Sequence, residues 1–203
     1  MKASHFILRA PLMIILFLSL NTFAQNDPKN TLKTNPFVMF NGQIPHTNEY
    51  RLVYERSLSN HLAFQLGGAY NGGNESNFSK ITAAEGAAIA AHGFRVQPSF
   101  KFYLRNQPSP RGMYLSPMYS YNTATFQNEG NSEDFLKATY TSMNLLAGWQ
   151  VMIKKTLVVD VFGGIGRKHN YWTTGDADRT IFDVPNESKG MKLNLGFNMG
   201  FAF

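Results

Sequence analysis

The chain has 203 residues, a formal net charge of +6 and no cysteine. This length fits one domain, and the lack of thiols excludes a disulfide framework and a thiolate metal site. The basic residues form no long run of like charge, so the composition does not favour nucleic-acid binding and we expect no nucleic-acid partner.

The first 24 residues have the layout of a secretory signal peptide. Basic residues precede an apolar run over 10–20, and small residues follow, with Ala24 as the last residue before a cut at Gln25. A spanning helix needs ~20 apolar residues, so an uncleaved anchor is the less favoured alternative. We therefore predict export, removal of the leader, and a single domain over 25–203.

The rest of the chain alternates apolar and polar residues with a period of two, which predicts β-strands with one apolar face each. We read 26–34 as a polar lead-in, and the first strand, at 35–44, has the weakest pattern. In chain order the eight predicted strands are 35–44, 49–56, 61–70, 94–104, 113–121, 139–153, 157–165 and 191–203.

The last predicted strand has the strongest pattern. Every odd position from Met191 to Phe203 is apolar, and every even position is polar or small. Soluble strands have a typical length of ~5–6 residues, whereas a tilted strand that crosses a bilayer needs ~9–11. The stretch therefore favours a transmembrane strand over a soluble one.

The connections between strands alternate between short and long. The short ones are 57–60, 105–112 and 154–155; the long ones are 71–91, 127–137 and 170–189, and each long one has a net negative charge. Short periplasmic turns and longer outer loops are typical of transmembrane barrels. The alternative is that the long connections are simply polar and carry no information on sidedness.

Two features depart from the simple pattern. Pro98 and Pro117 lie in the middle of predicted strands, where proline removes a ladder hydrogen bond, so we expect local bulges. Leu146, Val158 and Phe162 have the phase of the polar face. Either a bulge or a partly apolar interior would explain these three.

Charged residues recur on the polar, inward-facing phase. They could line a channel or form a plug in which charges satisfy each other. An eight-stranded barrel is only wide enough for side chains to fill its interior, which favours the plug. This predicted interior charge network consists of Arg51, Glu55, Arg95, Lys101, Asp160 and Lys192.

Aromatic residues cluster on the apolar phase near the predicted strand ends. In a barrel they would form girdles at the two membrane interfaces. A stacking surface for single-stranded nucleic acid would need basic residues clustered alongside. The residues concerned are Tyr50, Tyr54, Tyr70, Tyr119, Tyr121, Trp149, Phe201 and Phe203.

The sequence gives no catalytic, cofactor or metal site. A serine–histidine arrangement on the lipid-facing wall is not apparent, because no histidine has a serine one or two residues on; the mature histidines are His46, His61, His92 and His169. Acidic residues of the last long loop could hold Ca²⁺, although a solvated loop explains them as well; they are Asp176, Asp178 and Asp183.

Segments 50–56, 93–104, 112–121 and 148–166, together with the aromatic carboxy-terminus, resemble small outer-membrane barrels of Bacteroidetes type, in the OmpA/OmpX-like class. The resemblance implies an all-β, eight-stranded antiparallel up-and-down transmembrane β-barrel. It also implies a carboxy-terminal signal for the barrel-assembly machinery, made of Phe197, Met199, Phe201 and Phe203.

We expect a non-enzymatic protein of the cell outer membrane with a structural or surface-interaction role. The expected partners are outer-membrane lipid, lipopolysaccharide met by the long loops through divalent cations, and the barrel-assembly machinery. No surface ligand can be named. A narrow pore for ions or small solutes is the first alternative, and a lipid-modifying enzyme is the second.

Overall fold

A computed structural model describes residues 28–39, 44, 47–73, 89–104, 110–128, 131–174 and 187–203, so the predicted signal peptide lies outside it. Eight antiparallel strands form one closed barrel in sequence order. They are β1 (Asn30–Thr34), β2 (Thr47–Ser57), β3 (Leu62–Gly73), β4 (Ile89–Tyr103), β5 (Gly112–Asn128), β6 (Asn131–Ile153), β7 (Leu157–Thr174) and β8 (Glu187–Ala202). The predicted eight-stranded, antiparallel, up-and-down fold is confirmed.

The barrel wall has an apolar exterior and a largely polar interior. Each strand alternates its side chains between the two faces, so the period of two in the sequence becomes this division. Leu195, for example, is 79 % exposed, whereas Asp160 is 0 % exposed. Other large apolar side chains exposed on the exterior are Leu52, Leu66, Phe94, Phe100, Leu115, Leu145, Trp149, Val161, Ile165 and Leu193.

The predicted position of the first strand is wrong. β1 is Asn30–Thr34, within the predicted polar lead-in, whereas Phe37–Met39 forms a 3₁₀ turn. The error has a physical cause: the apolar run after Asn35 resembles a strand, but it lacks the alternation that would give it two different faces. β1 instead alternates outward Leu32 with the buried side chains Thr31 and Lys33.

Three strands extend well beyond their predicted ends. The predicted acidic loop 127–137 lies largely within the β5–β6 hairpin, since β5 reaches Asn128 and β6 begins at Asn131. β7 likewise continues to Thr174. Polar strand ends can extend a ladder into water, where hydrophobic alternation is no longer needed, so the pattern there is weak. We call this end of the barrel the loop side and the opposite end the turn side.

The bulges predicted at Pro98 and Pro117 are not present. The β4–β5 ladder pairs Val96 with Tyr121 and, further along, Ser99 with Met118 in the same register. Because neither proline has a backbone N–H to donate, pairing is interrupted around both of them while the register is kept. The barrel absorbs the two prolines by losing ladder pairs rather than by inserting a residue.

Two glycines on the interior face receive aromatic rings from neighbouring strands. Tyr114 lies opposite Gly148, and Phe162 lies opposite Gly196. A Cβ on Gly148 would be 2.4 Å from the Tyr114 ring, and one on Gly196 would be 2.2 Å from the Phe162 ring. With Leu146 and Val158 also inside, the inward apolar residues belong to a partly apolar interior, one of the two explanations that the sequence left open.

The loop side of the interior is also apolar. Ile44 from the β1–β2 connection packs there with buried side chains of three strands, and these side chains are Ala91, Ala124, Phe126, Leu136 and Ala138. The loop side of the interior is therefore partly apolar, although it also holds buried polar side chains such as Thr47 and Asn71.

The β6–β7 hairpin closes through the predicted two-residue turn Lys154–Lys155. Both residues have positive φ, at 49° and 59°, and Thr156 N donates to Ile153 O at 3.1 Å. Two left-handed residues are typical of a type I′ turn, which favours asparagine and glycine. Lysine pays a conformational penalty there because its Cβ crowds the following carbonyl.

We expect the double variant Lys154→Asn, Lys155→Gly to be more stable than the parent by about 1–2 kcal/mol, through relief of that crowding. Urea unfolding of the protein refolded in lipid vesicles measures the change. The control, Lys154→Gln with Lys155→Gln, removes the same charges but keeps the crowding. An equal gain in the control would show that charge, rather than backbone conformation, is responsible.

Candidate functional site

A cluster of four charged side chains closes the interior on the turn side. Lys33, Glu55, Lys101 and Asp160 come from β1, β2, β4 and β7, and each is buried. Their alternate positions on the inward phase aim all four at the barrel axis. We call these four residues the turn-side cluster.

Each ammonium group of the turn-side cluster contacts both carboxylates. Lys33 Nζ is 2.5 Å from Glu55 Oε2 and 3.0 Å from Asp160 Oδ2. Lys101 Nζ is 3.1 Å from Glu55 Oε2 and 2.7 Å from Asp160 Oδ2. Two positive and two negative charges therefore balance, as buried charges require.

Neutral side chains complete the hydrogen bonding of the turn-side cluster. Tyr103 donates to Glu55 Oε1 and Tyr114 donates to Asp160 Oδ1, both at 2.6 Å. Gln150 Oε1 accepts from both lysines. The aromatic rings fill the space around the charges, with Tyr103 and Tyr114 centroids 5.6 Å apart. The cluster is thus a saturated network that lies across the bore.

A second charged group lies nearer the loop side. Glu49 accepts from Arg51 Nε at 2.6 Å, and both of its carboxylate oxygens accept from Arg95 Nη1, at 3.0 and 2.9 Å. Arg95 Nε also donates to Ser120 Oγ at 3.2 Å. One carboxylate therefore holds two guanidinium groups, which leaves this group with a positive charge in excess.

Lys192 adds to this excess. It is half-buried on the inward face of β8, within electrostatic range of Arg51, Arg95 and Lys168. A cavity of about 170 Å³ lies beside Lys168 and Lys192, and it is lined otherwise by Ser120, Tyr140, Thr141, Ser142 and Asn170. We call Glu49, Arg51, Arg95 and Lys192 the loop-side cluster.

The six predicted charged residues all lie on the interior face, but they form two groups. Glu55, Lys101 and Asp160 belong to the turn-side cluster, and the other three, Arg51, Arg95 and Lys192, belong to the loop-side cluster. The sequence prediction of a single network missed this separation.

Two members of the clusters were missed. Lys33 lies in the predicted lead-in, but it is a buried interior lysine. Glu49 has the same phase as Arg51 and Glu55 on β2, so the period of two could have identified it. The signal for Lys33 was its alternation with Leu32, which is only a few residues long.

The proposed assembly residues lie on the exterior of β8 at the barrel seam. Phe203 exchanges backbone hydrogen bonds with Asn30, at 2.9 and 3.0 Å. Met199 is 40 % exposed, and the Phe197 ring lies 5.8 Å from that of Phe37. The last residues of the chain therefore join the barrel to its first strand.

Among the described residues, no histidine side chain contacts a serine side chain. His61 Nδ1 lies 3.2 Å from the Tyr103 carbonyl oxygen, and His169 pairs with Glu187 at the loop side. Within the described ranges no group of three or more metal-ligating side chains comes together. His46 and the three aspartates of the last loop lie outside the described residues.

Across the described part of the chain, no helix has the length and apolar character needed to cross a membrane. No protein-family model, curated protein or solved structure matches this chain. The fold itself defines a class, the closed eight-stranded antiparallel up-and-down β-barrel, and it is consistent with the small OmpA/OmpX-like barrels.

Proposed function

We propose that the mature chain is an integral barrel of the cell outer membrane, with a structural or surface-interaction role and no catalytic activity. The observation that carries the proposal is the arrangement of the wall, apolar outside and polar inside. A soluble barrel would bury its large apolar side chains instead. A closed barrel also pairs its backbone groups without an open edge, as hydrocarbon requires.

The turn-side cluster supports a closed barrel over a conducting pore. Its charges are paired within 3.1 Å, and Tyr103 and Tyr114 pack around them. Ions would have to separate buried, hydrogen-bonded charges to pass this level, which is costly. The interior therefore acts as a plug that rigidifies the wall.

The same proposal assigns partners to the two ends. The turn side would face the periplasm, and the long loop-side strands would carry the loops that meet lipopolysaccharide through divalent cations. The exterior aromatic residues of β8, ending at Phe203, would be recognised by the barrel-assembly machinery. The resemblance to Bacteroidetes-type barrels is the basis for these assignments.

Fractionation of cells that express the full chain tests the proposal. We expect the mature protein in the outer-membrane fraction, soluble only in detergent, with a gel mobility that changes on boiling. Purified protein added to planar bilayers is expected to give no steady conductance. A monomer that stays in water without detergent would contradict the membrane assignment, and stable openings would favour the narrow-pore alternative.

A further inference from the structure

The cavity of about 170 Å³ beside Lys168 and Lys192, which we call the loop-side cavity, lies along a row of inward-facing residues from four strands. The ladders place Ser120 of β5 opposite Ser142 of β6, and Ser142 opposite Lys168 of β7. Lys168 lies opposite Gly190 of β8, and Lys192 is two residues further along the same face. Long side chains in such direct and diagonal positions can meet. The register therefore brings two hydroxyl groups and two ammonium groups to one cavity.

The two serine hydroxyl groups of this row can donate hydrogen bonds to a ligand. Ser120 Oγ accepts from Arg95 Nε at 3.2 Å, and Ser142 Oγ accepts from Asn144 Nδ2 at 3.0 Å. A hydroxyl group has one hydrogen to donate besides its capacity to accept. Neither hydroxyl donates to another of the described residues. Both hydrogens are therefore available to an acceptor in the loop-side cavity.

The two lysines of the row supply charge without a nearby acid. Among the described residues, no carboxylate forms an ion pair with Lys168 or Lys192. Each lysine of the turn-side cluster, by contrast, contacts two carboxylates. Asn170, which is 7 % exposed, adds an amide group to the lining, and no lining residue in the described ranges is acidic. The donors of the loop-side cavity thus suit an anion.

The charges around the loop-side cavity do not balance. Arg51 and Arg95 share the single carboxylate of Glu49, and Lys192 lies within electrostatic range of these three residues and of Lys168. These groups together have four positive charges and one negative charge. Buried charges are normally paired, and surroundings of low dielectric constant strengthen the attraction of this excess for an anion compared with water.

The loop-side cavity is accessible to solvent and has room for more than water. Lys168, Lys192 and Tyr140 face inward but are only half-buried. The turn-side cluster lies across the bore, so solvent reaches these side chains from the loop side. The apolar cluster with Ile44 packs on β4, β5 and β6, whereas both lysines come from β7 and β8. The volume of about 170 Å³ is several times the ~30 Å³ that one water molecule occupies in the liquid.

We propose that the loop-side cavity binds a phosphate group, either the free ion or the phosphate of a small monoester. Lys168 and Lys192 contact its oxygens as cations, since lysine binds phosphate as a point charge. Ser120, Ser142 and Asn170 donate neutral hydrogen bonds to it. Phosphate suits this site better than a carboxylate, because it has close to two negative charges near neutral pH and more acceptor oxygens. The inference concerns the interior alone, so it goes beyond the proposed outer-membrane role without depending on it.

Calorimetric titration of the mature protein refolded in a non-ionic detergent tests the site. Sodium phosphate is the ligand, at about pH 7.5, where it has close to two charges, and sodium acetate is the singly charged comparison. We expect phosphate to bind about 10-fold more tightly than acetate, which corresponds to one additional charge-assisted hydrogen bond. Equal binding of the two anions, or no binding of phosphate, would overturn the proposal.

Variants of the two lysines locate the bound phosphate. We expect Lys168→Gln and Lys192→Gln each to weaken phosphate binding by about 10-fold, through loss of one charged contact. Arg167→Gln is the matched control, because Arg167 is next to Lys168 on β7 but lies exposed on the exterior; its phosphate affinity should be that of the parent. Equal losses in all three variants, or no loss in either lysine variant, would overturn the site. Each lysine variant tests it alone if the other does not refold.

Glycerol 3-phosphate distinguishes a monoester from the free ion. We expect both to bind with similar affinity, because the half-buried Lys168 and Lys192 leave the loop side open to the glycerol part. Similar affinities would support a monoester as ligand, and binding of inorganic phosphate alone would support the free ion. Failure of both to bind would overturn the phosphate site and leave the membrane fractionation unaffected, so this failure is distinguishable from failure of the outer-membrane proposal.

Discussion

Replacement of Asp160 with asparagine is expected to destabilise the barrel by about 3–5 kcal/mol, the usual cost of breaking a buried ion pair by removing one partner. Asp160 Oδ2 accepts from Lys33 at 3.0 Å and from Lys101 at 2.7 Å, and its Oδ1 accepts from Tyr114 at 2.6 Å. The variant leaves two buried ammonium groups with only Glu55 to balance them.

Guanidinium unfolding of the protein in lipid vesicles, followed by tryptophan fluorescence, measures this loss. Glu187→Gln is the matched control, because it makes the same charge change at a side chain that is 48 % exposed, where an ion pair contributes about 0–1 kcal/mol.

A second variant separates charge imbalance from lost shape. Asp160→Asn combined with Lys33→Met restores neutrality, so we expect it to recover part of the stability that Asp160→Asn loses. A double variant that is no more stable than the single one would show that the cost lies in packing. An unchanged unfolding midpoint in Asp160→Asn would show that the turn-side cluster contributes little to stability.

The period of two predicted the faces of the wall correctly because it is a local property. Tyr50 and Leu52 on β2 are exposed, and Val53 and Glu55 are buried, as their spacing indicated. Seven of the eight strands and their antiparallel order followed from the same pattern, since short turns join neighbours. These features require no knowledge of distant contacts.

The division of the charges into two clusters could not be predicted in this way. Lys101 of β4 meets Glu55 of β2 and Asp160 of β7 across the axis, and those strands are not neighbours. Their relative heights depend on the stagger of the whole barrel. A single sequence gives the phase of each residue but not that stagger.

The prediction of β1 failed for a different reason. It is five residues long, and Lys33, its most informative residue, is charged. A lone lysine in a polar stretch is normally at the surface, whereas here its Nζ is enclosed by Glu55, Asp160 and Gln150. Only the three-dimensional partners identify it as an interior residue.

Gly148→Ala is expected to cost about 3 kcal/mol, which combines the strain of overpacking with the loss of a hydrogen bond. The new Cβ would lie 2.4 Å from Tyr114 Cζ on one side and 2.9 Å from Phe162 Cβ on the other. Tyr114 cannot move away freely, because its hydroxyl group donates to Asp160. Phe162 Cβ is fixed by the backbone of β7. The strain therefore reaches the turn-side cluster.

The chain offers a matched control for Gly148→Ala in Gly68, where an added Cβ would meet nothing within 4 Å. Gly68→Ala also makes the same change in the unfolded chain, which by itself stabilises by about 0.4–1 kcal/mol. We therefore expect the change in the free energy of unfolding to have opposite signs in the two variants, measured in the same guanidinium unfolding experiment. Equal unfolding midpoints would mean that the Tyr114 ring can leave Gly148 without cost, and that the aromatic and charged parts of the interior are not coupled.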